Sequence, residues 1–353
     1  MPTPTLCGAL RAVFALALVS FIPGCPDEPM PPAEEAAAWR AVLDEEDLQG
    51  VLLSVWAAGS GEVFAVGGPL GNGGFETQAL RFDGERWQDL APGGEETLWW
   101  VSGAGRDDVW MVGEQGRLLH WDGAAFTEHE SGTSATLWGV YAFSATEAWA
   151  VGGTPGKGLD APNDIVLRWD GDTWSAEPLP GEPLGQALYK VWGTSSEDLY
   201  VVGEGGTIWH RGAAGWVLQS NSTLASGTLF TVHGCGPTEV YAVGGQDVLR
   251  SDGEQWTKVE VALPNTVNGV ACSAPGEVAL VGFGGLKLRL VEGAWINEQA
   301  EDPLSDLHAV WPGPDGALWT VGGDFLTKPS QGTRRRGVVG RYGSGEVAGE
   351  VNP

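Results

Sequence analysis

The chain has 353 residues, among them 55 glycines and 18 tryptophans, with 18% charged residues and a formal net charge of −27. Such acidity repels a phosphate backbone and argues against nucleic acid as a partner; it also excludes anionic lipid surfaces unless a covalent anchor holds the chain there. The glycine and tryptophan excess fits many short strands joined by tight turns and speaks against a long-helix protein.

In chain order, Arg11 precedes an apolar run from Ala12 to Ile22. The run has the length of a signal-peptide core and is too short to span a bilayer. It ends in Ile22-Pro23-Gly24-Cys25, which resembles a bacterial lipobox. The resemblance implies that residues 1–24 are a lipoprotein signal peptide, cleaved before Cys25, and that the Cys25 sulfur carries diacylglycerol. An ordinary signal peptide cut elsewhere, with Cys25 incidental, is the alternative. Removing residues 1–24 takes away Arg11 alone, so the mature charge is −27 − 1 = −28. Residues 25–37 include Pro26-Asp27-Glu28-Pro29-Met30-Pro31-Pro32 and read as the lipidated cysteine with a flexible tether. The expected location is the cell envelope after export, lipid-anchored at the outer membrane, on its periplasmic or its surface face.

The body of the chain is a repeat. An aliphatic residue, two variable residues and a valine open each unit: Leu52-x-x-Val55, Leu98-x-x-Val101, Leu137-x-x-Val140, Leu188-x-x-Val191, Leu229-x-x-Val232, Val267-x-x-Val270 and Leu307-x-x-Val310. A glycine stands at the same offset from each opening residue: Gly67, Gly113, Gly152, Gly203, Gly244, Gly282 and Gly322. The apolar runs just before these glycines, such as Val109-Trp110-Met111-Val112, read as strands buried on both faces. A hairpin then follows. Asp83-Gly84, Asp122-Gly123, Asp170-Gly171 and Asp252-Gly253 predict two-residue turns with positive φ at both positions, with weaker versions at Arg211-Gly212 and Glu292-Gly293. An aromatic residue comes next: Trp87, Phe126, Trp174, Trp216, Trp256 and Trp295. A unit is thus four antiparallel strands, a to d, which is a propeller blade. The expected fold is all-β, a seven-bladed β-propeller of four-stranded antiparallel blades over residues 38–346, with a C-terminal tail at 347–353.

The glycine pair after strand b and the tryptophan in strand d look like a kelch repeat. The string Trp192 to Gly203, with Asp-Gly-x-x-Trp in its sister units, resembles the tandem repeats of secreted bacterial propeller lipoproteins, grouped with kelch-like and BNR-like propellers. The resemblance covers Leu52 to about Tyr342 and implies a non-catalytic binding or scaffold module for a protein or polysaccharide of the envelope or its surroundings. The membrane is reached through the lipid anchor only, and a monomer without cofactor is expected. The alternative is a glycoside hydrolase or lyase of sialidase-like propeller type. Against it, the Asp-x-Gly spacing of sialidase Asp boxes is absent, and no Gly-x-Ser-x-Gly elbow, phosphate loop or dinucleotide fingerprint occurs.

Three further readings concern sites. Glu62, Asp108, Glu147, Asp198, Glu239 and Glu277 precede strand b in six units, as turn caps or as a carboxylate ring for a divalent cation. None of the five histidines forms a short-spaced ligand pair, so no metal site is expected. The tryptophans at repeated strand positions read as wedges between blades.

The b–c loops are longer in three units, adding chain at 68–78, 153–164 and 323–336 on one face. Repeat proteins commonly carry function on such insertions. The candidate binding residues there are Phe75, Lys157, Asp160, Asn163, Asp164, Phe325, Lys328, Arg334, Arg335 and Arg336. Cys235 and Cys272 occupy the same a–b turn of adjacent blades, either as a disulfide or as two separate thiols. Blade 7 lacks its outer strand, which Ala38 to Leu43, with Trp39 leading, supplies from the N-terminus; otherwise residues from Val347 onward supply it and Glu34 to Asp47 is a helix.

Overall fold

A computed structural model of the protein describes residues 36–45, 48, 50–59, 61–70, 75–220, 224–225, 227–325, 336–345, 347 and 349–352. Cys25 and the leader lie outside these residues, as do Lys328, Arg334 and Arg335. Everything described belongs to one unit.

That unit is a seven-bladed β-propeller with four antiparallel strands per blade. In blade 1 the strands are Val51–Ala57, Val63–Gly68, Gln78–Phe82 and Trp87–Asp89. The order a-b-c-d repeats through blade 6, and strands a open at Leu98, Leu137, Leu188, Thr231 and Val267. Each strand a packs against strand a of the next blade all the way round, so the a strands line the central channel.

Both chain ends work at the seam. Blade 7 takes strands a to c from Asp306–Pro312, Leu318–Gly323 and Gly337–Gly343, and its outer strand is Ala38–Glu45. Trp39 pairs with Tyr342 in the ladder and is 4% exposed. It shares a buried cluster with Ala279 and Val281 on strand b of blade 6, and its Nε1 donates to Glu298 at 2.7 Å. The C-terminal residues are not a free tail: Val351–Asn352 adds a parallel fifth strand beside Trp87 on blade 1. The ring is therefore closed by the N-terminal strand and braced by the C-terminal one, which removes the open edge a broken ring would expose.

Aromatic side chains of strand b fill the space between blades. Trp110 of blade 2 meets Trp169 and Trp174 of blade 3 at 5.0 and 5.1 Å between ring centroids. Trp149 meets Trp216 at 5.9 Å, Tyr200 meets Trp256 at 5.8 Å, and across the seam Trp319 meets Trp87 at 6.1 Å. Trp87, Trp110, Trp149 and Tyr200 are among the largest fully buried side chains. Rings of this size contribute most of the burial energy between neighbouring sheets.

The c–d hairpins differ from the predicted turn. Asp83 is bonded across to Arg86, so the central residues are Gly84 and Glu85, and only Gly84 has positive φ, at 101°. Glycine stands first in the turn, as type II′ requires. The aspartate precedes it and accepts the N–H groups of Glu85 and Arg86, both at 2.9 Å. Asp122, Asp170 and Asp252 do the same, and these N–H donors hold all four carboxyls below the usual carboxylate range. Positive φ at both positions occurs instead at Glu292 (50°) and Gly293 (81°).

Candidate functional site

Antiparallel alternation sends the b–c and d–a loops to one face and the a–b and c–d turns to the other. On the b–c face, strand a carries a bulge just after its opening aliphatic residue in six blades: the ladder slips between Leu52 and Ser54, Leu98 and Trp100, Leu137 and Gly139, Leu188 and Lys190, Val267 and Gly269, and Leu307 and Ala309. A bulge re-aims the extra side chain. Together with Phe230 at the same place of blade 5, it sets seven residues, one per blade, around the channel mouth: Leu53, Trp99, Trp138, Tyr189, Phe230, Asn268 and His308. Four consecutive members are aromatic and touch in sequence. Trp99 and Trp138 lie 4.5 Å apart, Trp138 and Tyr189 5.3 Å, and Tyr189 and Phe230 5.5 Å. All four are partly exposed. On the other side, His308 lies 6.0 Å from Trp99 and its Nδ1 donates to the Leu53 carbonyl.

One residue deeper stand Ser54, Trp100, Gly139, Lys190, Thr231, Gly269 and Ala309. Lys190 is the charged one. Its Nζ donates to the Trp138 carbonyl at 2.7 Å and lies 4.1 Å over the Trp100 ring, reaching from blade 4 toward blade 2. Burial pulls its pKa down to about 7. Burial, reinforced by the Lys190 charge, pushes His308 to about 3, so its imidazole is neutral. Burial and the nearby Glu204 push the Tyr189 phenol up. Farther along the channel His233 packs between Trp192 and Trp311 and accepts the Cys272 N–H on Nδ1; burial lowers its pKa to about 4.

The loop residues singled out in the sequence meet different fates. Phe325 joins the mouth, 5.8 Å from His308 and 6.1 Å from Phe283. Asn163 instead stitches its own loop: its amide donates to Thr154 and Gly158 carbonyls and its Oδ1 accepts the Thr154 N–H at 2.7 Å. Asp164, at φ 52°, accepts the Gly185 N–H at 2.6 Å and fastens that loop to the connection between blades 3 and 4. Lys157 and Asp160 are exposed on the same loop, and Phe75 is partly buried. Arg336 forms an ion pair with Asp44 of the N-terminal strand, across the seam. The three insertions thus share a face, and Phe325 brings its ring to the mouth.

The acidic series at the start of strand b serves mainly in ion pairs; one member, Glu239, also caps the a–b turn of blade 6 by accepting the Gly276 N–H at 3.2 Å. Five of its members pair with a basic residue on strand c of their own blade: Glu62 with Arg81, Asp108 with His120 at 2.7 Å, Glu147 with Arg168 at 3.4 Å, Asp198 with His210 at 2.9 Å and Glu239 with Arg250 at 3.9 Å. Among the described residues no cluster of three or more ligating side chains is placed to hold a metal ion. On this opposite face Cys235 and Cys272 form a disulfide between blades 5 and 6, with Cα atoms 5.3 Å apart. An open cleft of about 770 Å³ there is lined by Ala58, Ala104, Arg106, Phe143 and Ala145 of blades 1 to 3.

No protein-family model matches the sequence, and no relative is found among curated proteins. Solved structures share the fold. YCF48 bound to a D1 peptide is similar over 86% of this chain and 96% of its own, with TM-score 0.63 and 17% identity. Streptogramin B lyase covers 88% of this chain and 98% of its own, with TM-score 0.69 and 12% identity. The WD40 repeats of RRP9 cover 87% and 98%, with TM-score 0.64 and 11% identity. Propellers of this shape therefore include peptide binders, WD40 proteins and an enzyme.

Proposed function

We propose that the protein is a non-catalytic binding module, tethered to a bacterial envelope through Cys25, that holds a segment of a partner protein across the channel mouth on the b–c face. The observation that carries this reading is the arc Trp99, Trp138, Tyr189 and Phe230: four partly exposed rings in contact, on a rigid inner strand, at the centre of the face that also bears the three insertions. Rigid aromatic anchors surrounded by polar loops are the usual composition of a protein-binding surface. The peptide-bound YCF48 neighbour supports the same use of the fold. A catalytic reading has streptogramin B lyase as a fold neighbour. It draws no support from the acidic series, five of whose six carboxylates pair with the basic partners named above.

Site-specific photo-crosslinking in intact cells tests the reading. A benzophenone side chain at Asp160 or Leu184, both exposed on the b–c face, is expected to trap a protein partner, whereas one at Asp107 on the opposite face is not. Adducts confined to Asp107 overturn it. Carbohydrate adducts at Asp160 would replace the protein segment with a polysaccharide.

A further inference from the structure

We propose that the channel mouth receives the C-terminal carboxylate of a polypeptide, with Lys190 as its counter-ion and the aromatic arc around its last, apolar side chain. This rests on the reading of the b–c face given above and names the ligand chemistry.

Lys190 is the reason. It stands directly beneath the arc, at the position that is serine, tryptophan, glycine, threonine or alanine in the other six blades. It is 3% exposed, and among the described residues no carboxylate pairs with it. An ammonium carries three donors. The Trp138 carbonyl takes one and the Trp100 ring faces another, which leaves a donor without a partner among the described residues. The cost of burying an unpaired cation appears in its titration, drawn down to about 7. By contrast Lys287, the other deeply buried lysine, donates to the carbonyls of Gly285 and Pro303. Neutral His308 beside Lys190 adds no competing charge. An incoming carboxylate supplies the missing charge and acceptor in a desolvated setting, where such a pair is strongest.

The position of Lys190 selects a chain end. The ammonium lies below a ring of seven side chains, so a ligand reaches it end-on. A polypeptide C-terminus puts its carboxylate at the tip of an extended chain with one side chain just behind it, level with the arc. The carboxylates of a uronic-acid polysaccharide hang from rings whose chain continues both ways across the mouth.

The test uses the full mature protein and hexapeptide libraries ending in Leu or Phe, synthesised as free acids and as C-terminal amides, with oligogalacturonate as a third probe, read by fluorescence anisotropy. The acids are expected to bind at least about tenfold more tightly than the matching amides. Lys190→Met, of similar volume, is expected to erase that gap. Equal binding of acids and amides by wild-type protein overturns the inference without needing any variant; so do failure of every peptide to bind, a gap that survives in Lys190→Met, and tighter binding of oligogalacturonate. If the end group is immaterial but Trp138→Ala still weakens peptide binding, the b–c face reading stands and the terminal carboxylate falls. If Trp138→Ala is also without effect, both fall.

Discussion

Trp138 and Trp149 belong to the same blade and differ in almost everything else. Trp149 lies on strand b, fully buried, edge-on to Trp216 and beneath the guanidinium groups of Arg168 and Arg211 at 5.4 and 5.2 Å. Trp138 lies at the bulge of strand a, partly exposed, in contact with Trp99 and Tyr189, its Nε1 donating to the Gly153 carbonyl at 2.9 Å. Strict two-residue alternation drives the first ring into the gap between blades, where it fills volume. One inserted residue turns the second toward the channel mouth, where it is available to a ligand. A single residue type thus performs two tasks, and register separates them.

The largest effect is expected from emptying a wedge. Trp149→Ala should cost about 3–5 kcal/mol, read as a lowered urea midpoint with an unchanged slope. A cost below about 1 kcal/mol would break the distinction between wedge and mouth. Acid should act next, through the channel histidines. His233 has a folded pKa of about 4 against 6.5 in the unfolded chain. Between those values the unfolded chain binds a proton and the folded one does not. Its contribution is therefore complete above pH 6.5 and is lost as pH falls toward 4, by about 3 kcal/mol. Urea midpoints from pH 4 to 7 should show this slope, and His233→Asn should reduce it, leaving the part that His308 contributes; a flat wild-type profile refutes it.

Reducing the Cys235–Cys272 bridge removes a cross-link over 37 residues on the face opposite the mouth. About 2–4 kcal/mol of stability should go with it, while ligand capture at the mouth is retained. Loss of capture on mild reduction would join the two faces that this account separates. The smallest effect on stability belongs to the mouth itself: Trp138→Ala should cost about 1 kcal/mol, because its ring is already partly in water. Calorimetry of the purified variant reads that difference.

Much of the scaffold was legible in the sequence because it repeats. The fixed offset from Leu52 to Gly67 and its six counterparts marked every a–b pair, and Trp39 marked the strand that closes blade 7. The hairpin type is not legible, because Asp-Gly reads as the turn itself, whereas the aspartate stands before the turn and caps it. The channel mouth was missed for a physical reason. Its members, from Leu53 to His308, occupy the first variable place of the opening motif and share no residue type, so a pattern built on identity passes over them. Six of the seven share the bulge, which is a matter of backbone pairing. Among the inserted loops, polar residues read as ligand contacts, yet Asn163 spends its hydrogen bonds on the loop's own backbone, Asp164 spends its on the connection between blades 3 and 4, and Arg336 is committed to Asp44. What a polar loop residue touches depends on its own chain first, and sequence position alone does not reveal it.

The account is tested most directly by the double variant Trp138→Ala/Tyr189→Ala, measured beside wild type and Trp149→Ala for both thermal midpoint and binding of the free-acid hexapeptide library. At least about tenfold weaker binding is expected of the double variant with a midpoint close to wild type, while Trp149→Ala loses stability and, when folded, still binds. Undiminished binding by the double variant, or a midpoint as low as that of Trp149→Ala, would contradict it.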